Sequence, residues 1–253
     1  MGIDEVAAAG FGAGADDYER GRPSYPDDAV RWLGEHLGLG PGRRVVDLAA
    51  GTGKLTRLLE AGGSEVVAVE PVEAMRAKLA ETAPGVEALS GTAEAIPLPD
   101  GSVDAVTVAQ AFHWFDPDAA LAEIARVVRP GGGLGIIFNE RDARVPWVGE
   151  LSHLIRWNER EQWRVPYTVE VDWAKRLEGV NPAFETFERY DTTYCQPMNP
   201  DILVARVLST SYIATMPPGE RSELAAKVRQ LVVPLGPEFE LPYVTVAYVA
   251  GRR

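Results

Sequence analysis

One stretch constrains this chain more than any other: Arg44-Val45-Val46-Asp47-Leu48-Ala49-Ala50-Gly51-Thr52-Gly53-Lys54-Leu55. It opens as a short apolar run rich in β-branched residues, the pattern of a buried strand. It turns through the small residues Ala49 to Gly53 and continues into Leu55, Leu58 and Leu59, spaced three and four apart as on one face of a helix. A strand that feeds a helix through a Gly-rich turn is a nucleotide or cofactor site. Small residues let a ligand approach the backbone, and the first helical N–H groups are unpaired donors.

Two readings of the turn fail on their own terms. A phosphate-cradling P-loop needs Gly, four residues, then Gly-Lys-Ser/Thr. Gly53-Lys54 are present, but Leu48 and Leu55 stand where the turn glycine and the hydroxyl belong. A dinucleotide fingerprint needs Gly-x-Gly-x-x-Gly, and Thr56 takes its third place. The third reading is a resemblance. Asp47-Leu48-Ala49-Ala50-Gly51-Thr52-Gly53 resembles motif I of the class I S-adenosyl-L-methionine (SAM) methyltransferases, Asp/Glu-x-Gly-x-Gly-x-Gly, with Ala49 in place of the first glycine.

The chain around the turn sets the fold class. Apolar runs at Glu65–Glu70, Val86–Ser90, Val103–Ala109 and Leu134–Phe138 read as four further strands. Helical segments lie between them, at 72–82 and from Asp116-Pro117-Asp118 to Val128, and one precedes them from Asp28 to Leu37, capped by Asp27. Arg129-Pro130-Gly131-Gly132-Gly133 reads as a helix stop and tight turn. Asp16 to Pro26 reads as an irregular segment, because two prolines and a glycine forbid a long helix. Beyond Asn139 the alternation fades. Helices are expected over 148–163, 201–210 and 220–232, and strands over 184–194 and 239–250.

These elements and motifs resemble the broad type-11 group of class I methyltransferases. The resemblance implies an α/β, Rossmann-like sheet of seven strands. The sheet would be mostly parallel with a late antiparallel strand, helices on both faces and a helical lid between strands five and six. One domain is expected: a cofactor-covering segment over 1–40, a SAM-binding core over 41–140, a lid and late strand over 141–235 and a final strand over 236–253.

The candidate site follows from position. Glu70 ends a strand about 20 residues past the turn, where a ribose-binding acid belongs. Gln110-Ala111-Phe112-His113-Trp114 stands at the carboxyl end of a strand, where ligands of open α/β sheets lie. The resemblance assigns the rest. Tyr18 and Arg22 would meet the methionine end of SAM above Asp47, Ala49, Gly51 and Gly53. Pro71, Met75, Thr92, Ala93 and Glu94 would surround the adenine, and Gln110 would line the cofactor. Tyr25, His113 and Trp114 would line the acceptor pocket, with His113 the candidate base. The Arg-Pro-x-Tyr-Pro and Phe-His-Trp-Phe-Asp stretches are similar to the subgroup containing trans-aconitate methyltransferases, which suggests a small-molecule acceptor, with O-methylation of a carboxylate favoured. The product cofactor would be S-adenosyl-L-homocysteine. The rival functions are a non-catalytic SAM- or nucleotide-binding module and an NAD(P)-dependent oxidoreductase.

Composition narrows the partners. Hydrophobic residues make up 46 % of the 253 residues, enough for a sizeable core. A formal net charge of -12 argues against nucleic acid or an anionic membrane as partner. No apolar run approaches the roughly 20 residues of a membrane span. The opening residues lack the basic and apolar blocks of a signal peptide, and 1–15 read as loosely packed. A cytoplasmic protein is expected. Cys195 is the single cysteine and reads as buried and structural; no metal site is expected.

Overall fold

The structure, a computed structural model, describes residues 15–157, 159 and 171–253. Two short helices open it, α1 (Ala15–Gly21) and α2 (Asp27–Leu37). An alternating series follows: β1 (Arg44–Leu48), α3 (Lys54–Ala61), β2 (Glu65–Val69), α4 (Glu73–Thr82), β3 (Glu87–Leu89), β4 (Val103–Ala109), α5 (Pro117–Val127) and β5 (Val128–Arg141). Then come α6 (Pro146–Leu154), α7 (Trp173–Leu177), β6 (Glu188–Met198), α8 (Pro200–Leu208), α9 (Ser211–Ala214), α10 (Pro218–Val232) and β7 (Phe239–Gly251). Among the described residues no helix is long and apolar enough to cross a membrane.

The strands form one sheet in the order β3-β2-β1-β4-β5-β7-β6. β1 to β5 pair in parallel, and β7 runs antiparallel to both β5 and β6. Neighbouring residues of a strand point to opposite faces, and here both faces are covered. Val46 and Leu48 join Val106, Ile124 and Ile136 on one face; Val45 joins Leu33, Leu55 and Ile137 on the other. That is why the strand runs are continuously apolar rather than alternating. A further cluster lies off the sheet, where Val148 and Leu151 of α6 pack with Leu203, Val207 and Val228 of α8 and α10.

Several expectations are corrected. Asp16–Pro26 is not irregular throughout, since α1 occupies its first part and stops at Gly21, before Pro23. Asp27 does not cap α2. Pro26 stands at the cap with no side-chain bond, and Asp27 is the first helical residue. Asp116 does cap α5, accepting from the N–H groups of Asp118 and Ala119. The Arg129–Gly133 run stops α5, as expected, but it bends inside β5 rather than ahead of it: Val103 pairs with Val128 and Ala105 already with Gly133, and Gly131 (φ 77°) and Gly132 bond to Arg252 of the chain's last segment. A Cβ at Gly132 would overlap the carbonyl oxygen of Asp104, so the close approach requires glycine. The lid expected between strands five and six is formed by α6 and α7, and the helices expected over 201–210 and 220–232 follow β6 as α8 and α10. The expected helix over 148–163 ends at Leu154, because Arg156 turns left-handed with φ 54°; Arg160, Trp163 and Arg164 lie outside the described residues, as do 1–14. Cys195 is exposed, on an outward position of the edge strand β6.

Candidate active site

The site forms where the chain direction across the sheet reverses. β2 and β3 lie on one side of β1, β4 and β5 on the other, and a crevice opens beyond the ends of β1 and β4. Both strands end in strained backbone there. Ala49 has φ 56° and Gln110 has φ 59°. A left-handed conformation costs a residue with a Cβ roughly 1–2 kcal/mol. Tertiary bonds hold both in place: the Ala49 N–H donates to Val69 O at 2.7 Å, and the Gln110 N–H donates to Ile137 O at 2.9 Å. Gly51, at φ 57°, faces open space where a Cβ would stand. The turn therefore leaves room for a ligand against bare backbone.

Two adjoining compartments meet at Ala49. Tyr18, Arg22, Tyr25, Gly51, Gln110 and Arg206 line the first. Pro71, Thr92, Ala93, Glu94, Trp114 and Phe115 line the second. Most of the residues expected at the site are thus brought together. Met75 is buried in α4 and lines neither compartment. Glu94 already accepts the N–H of Asp116 at 3.2 Å. His113 stands on a single 3₁₀ turn (Phe112–Trp114), its ring 4.9 Å from Trp114 and 5.9 Å from Phe138, outside both compartments.

Under the turn the charged groups are incompletely matched. Asp47 is 1 % exposed; one oxygen accepts the Thr56 hydroxyl at 2.6 Å and the other has no hydrogen-bond partner. Burial raises its pKa to about 7, and repulsion from Glu70 adds to the rise. Arg22 donates through Nη2 to Ser209 O at 3.1 Å and lies over the Tyr18 ring, but its buried Nε has no partner. Burial lowers its pKa to about 10, helped by Arg206. An acceptor oxygen and a donor N–H, each desolvated and unused, suit a ligand that carries an ammonium and a carboxylate on adjacent atoms. Glu70 reaches across to the turn. One oxygen accepts the Gly51 N–H and the other the Val72 N–H, both at 2.9 Å. Each oxygen keeps a lone pair for further donors.

Sequence reasoning missed the clasp that holds α1 over the turn. Glu19 accepts the Thr52 hydroxyl at 2.5 Å and pairs with Arg57 at 2.8 Å, while Lys54 donates to the Glu19 carbonyl at 2.8 Å. Lys54 thus ties the turn to α1, a role no phosphate motif foretold. Arg206 was missed as well. It sits three residues after the buried Leu203, so helical spacing alone places it on the inward face of α8.

The chain is similar to known methyltransferases in sequence and in fold. The profile of the methyltransferase domain family matches residues 46–136. An uncharacterized methyltransferase of Mycobacterium tuberculosis is 43 % identical over 93 % of this chain and 93 % of its own. An uncharacterized methyltransferase-like protein of Schizosaccharomyces pombe is 31 % identical, again over 93 % of each chain. Among solved structures, a provisionally assigned type II methyltransferase from Anaeromyxobacter dehalogenans superposes with a TM-score of 0.65 at 28 % identity, covering 91 % of this chain and 97 % of that one.

Proposed function

The chain belongs to the methyltransferase domain family, and from that premise we propose that it methylates a small organic acid on a carboxylate oxygen. Its methyl donor is SAM. The observation that carries the reading is the unused pair beneath the turn, Asp47 Oδ1 and Arg22 Nε, which matches the zwitterionic end of that donor.

The residues present fit the cofactor. Arg22 would hold its carboxylate and Asp47 its ammonium, with Ala49, Gly51 and Gln110 along the chain between. Glu70 would accept the ribose hydroxyls through its remaining lone pairs. Pro71, Thr92, Ala93 and Glu94 would enclose the adenine. When bound, SAM would supply an electrophilic methyl group: the acceptor oxygen would gain the C–O bond as the C–S bond broke, leaving the electron pair on sulfur with no proton moved. The chain's own contribution is alignment and exclusion of water. Holding nucleophile and methyl group in line lowers the barrier by up to about 7–11 kcal/mol in favourable cases. The clasp of α1 over the turn supports that closure.

A carboxylate needs no base, so His113, packed by Trp114 and Phe138 outside both compartments, takes no part in proton transfer here. Replacing it with alanine is expected to change kcat by less than about tenfold, below the 10²–10⁴ that general-base catalysis contributes. A loss within that larger range would mark His113 as a base and the acceptor as a hydroxyl.

Thermal unfolding with SAM, S-adenosyl-L-homocysteine and NAD added separately tests the cofactor. A ligand at a hundred times its Kd stabilises the fold by about 2.7 kcal/mol, a rise in midpoint of a few degrees for a chain this size. Rises with the first two and none with NAD are expected. A rise with NAD alone would overturn the reading.

A further inference from the structure

Three arginines cluster at the first compartment, and none forms an ion pair with a described carboxylate: Arg22 after α1 and Arg206 in α8 line it, and Arg141 at the end of β5 lies behind them, near enough to act on both charges. Arg141 is 4 % exposed, and all three of its guanidinium nitrogens lack a hydrogen-bond partner. Its guanidinium carbon lies 4.7 Å from the centroid of the Trp157 ring. Arg206 is 6 % exposed; its Nε donates to the Tyr243 hydroxyl at 3.2 Å, and its Nη1 has no partner. Burial and the Arg206 charge both lower the Arg141 pKa; Glu140, Tyr243 and Tyr212 oppose them. Burying an unpaired guanidinium is strongly unfavourable. A fold keeps two of them side by side when something else supplies the counter-charge.

The methyl donor cannot supply it. SAM carries one carboxylate against an ammonium and a sulfonium, so it brings net positive charge. Its carboxylate satisfies one guanidinium, and Arg22, beside the Gly-rich turn, is placed for that. Arg141 and Arg206 remain, and guanidinium geometry suits a planar acid group or a phosphate. We infer that Arg141, with Arg206, anchors an acid group of the acceptor that is not itself methylated, so that the acceptor is an organic anion with at least two acid groups. This rests on the proposed methyl transfer. It makes Arg141 and Arg206 the residues that choose the acceptor: a neutral or singly acidic molecule would leave the anchor empty.

The test is thermal unfolding of the full chain saturated with S-adenosyl-L-homocysteine, titrated with succinate, with inorganic phosphate and with chloride at matched ionic strength. Succinate or phosphate should raise the midpoint beyond chloride. A response to succinate assigns a second carboxylate, and a response to phosphate alone assigns a phosphate ester. In Arg141→Gln the anion affinity should fall at least tenfold, with S-adenosyl-L-homocysteine binding unchanged within about twofold. Arg141→Met, free of the buried charge, should unfold at a higher temperature than the wild type without ligand, which shows that the loss of binding is not a loss of fold. The inference is overturned if neither anion outperforms chloride, if Arg141→Gln keeps its anion response, or if the cofactor product is lost in parallel. Failure of S-adenosyl-L-homocysteine to bind the wild type would strike the methyl-transfer reading instead; the anion titration of the unliganded chain would still read the arginine pair.

Discussion

Replacing Asp47 with asparagine should make the unliganded protein more stable at neutral pH and, in the same variant, cripple cofactor binding. Asp47 is an acid whose pKa is raised on folding, from 3.8 to about 7, chiefly by burial. The folded state then binds a proton more tightly than the unfolded chain, and stability declines as pH rises from about 4 to about 7. Above that window the fold carries the full cost of a buried carboxylate with one unsatisfied oxygen. Every tenfold gain in proton affinity corresponds to about 1.4 kcal/mol, so the removable cost is at most about 4 kcal/mol. Asparagine keeps the bond to the Thr56 hydroxyl and never ionises. Its unfolding midpoint at pH 8 should exceed the wild type's, and its stability should decline less steeply where the wild type's slopes, since Glu70, whose pKa burial also raises, keeps a residual slope. The same change deletes the charge that would hold the donor's ammonium. A hydrogen bond to a charged group is worth about 1.5–3 kcal/mol, so Kd for SAM should rise roughly 10- to 100-fold. A variant that loses stability between pH 4 and 7 as steeply as the wild type would show that Asp47 is not the group behind the slope.

Gly21→Ala should loosen the cover of the site while sparing the sheet. Gly21 ends α1 against the backbone of α8; a Cβ there would stand 2.5 Å from Arg206 N and 2.9 Å from the Ala205 carbonyl carbon. Neither neighbour is a side-chain tip that can turn aside. Overpacking of this kind costs about 1–3 kcal/mol. The cost falls on docking of α1, which also carries the Glu19 clasp and precedes Arg22. Gln196 loses its bond to the Gly21 carbonyl, 3.2 Å long. If docking becomes a minority state, apparent affinity falls by the docked fraction, so Kd for SAM should rise about 10-fold or more. Limited trypsin digestion after Arg20 reads the undocking directly; the Arg22–Pro23 bond resists trypsin. Unchanged affinity together with unchanged cleavage would show that α8 yields and α1 stays put.

The central strand–turn–helix was legible because each of its signals is local. A β-branched run, a cluster of small residues and a leucine face need no tertiary information. The carboxylate at Glu70 was legible by its distance from the turn. What failed depends on the partner. The Arg-Pro-Gly-Gly run looks like a turn in isolation, and only pairing with the last strand draws it into β5. Gly21 and Pro23 read as breakers of a whole segment, although a short helix fits in front of them. Cys195 looks buried by residue type, and only its register on an edge strand turns it outward. Arg141 precedes Asp142 and Arg144 and reads as one charge in a solvated cluster, because nothing in the chain says that this one is enclosed. Arg206 alone left a trace, its helical spacing from Leu203.

The order of the sheet also bears on how the molecule is made. β7 is the later partner of both β5 and β6, yet it sits between them. Arg141 of β5 waits for Tyr243, roughly a hundred residues further on, before its row is complete. At about 5–20 residues per second, ribosomal synthesis leaves the flank of β5 without its neighbour for some 5–20 seconds. An open apolar strand is a template for pairing between chains. Nascent copies of this protein should therefore be most vulnerable to clumping late in translation, when the cofactor half has emerged and the closing strand has not. A chaperone that shields the flank of β5 would act in that interval.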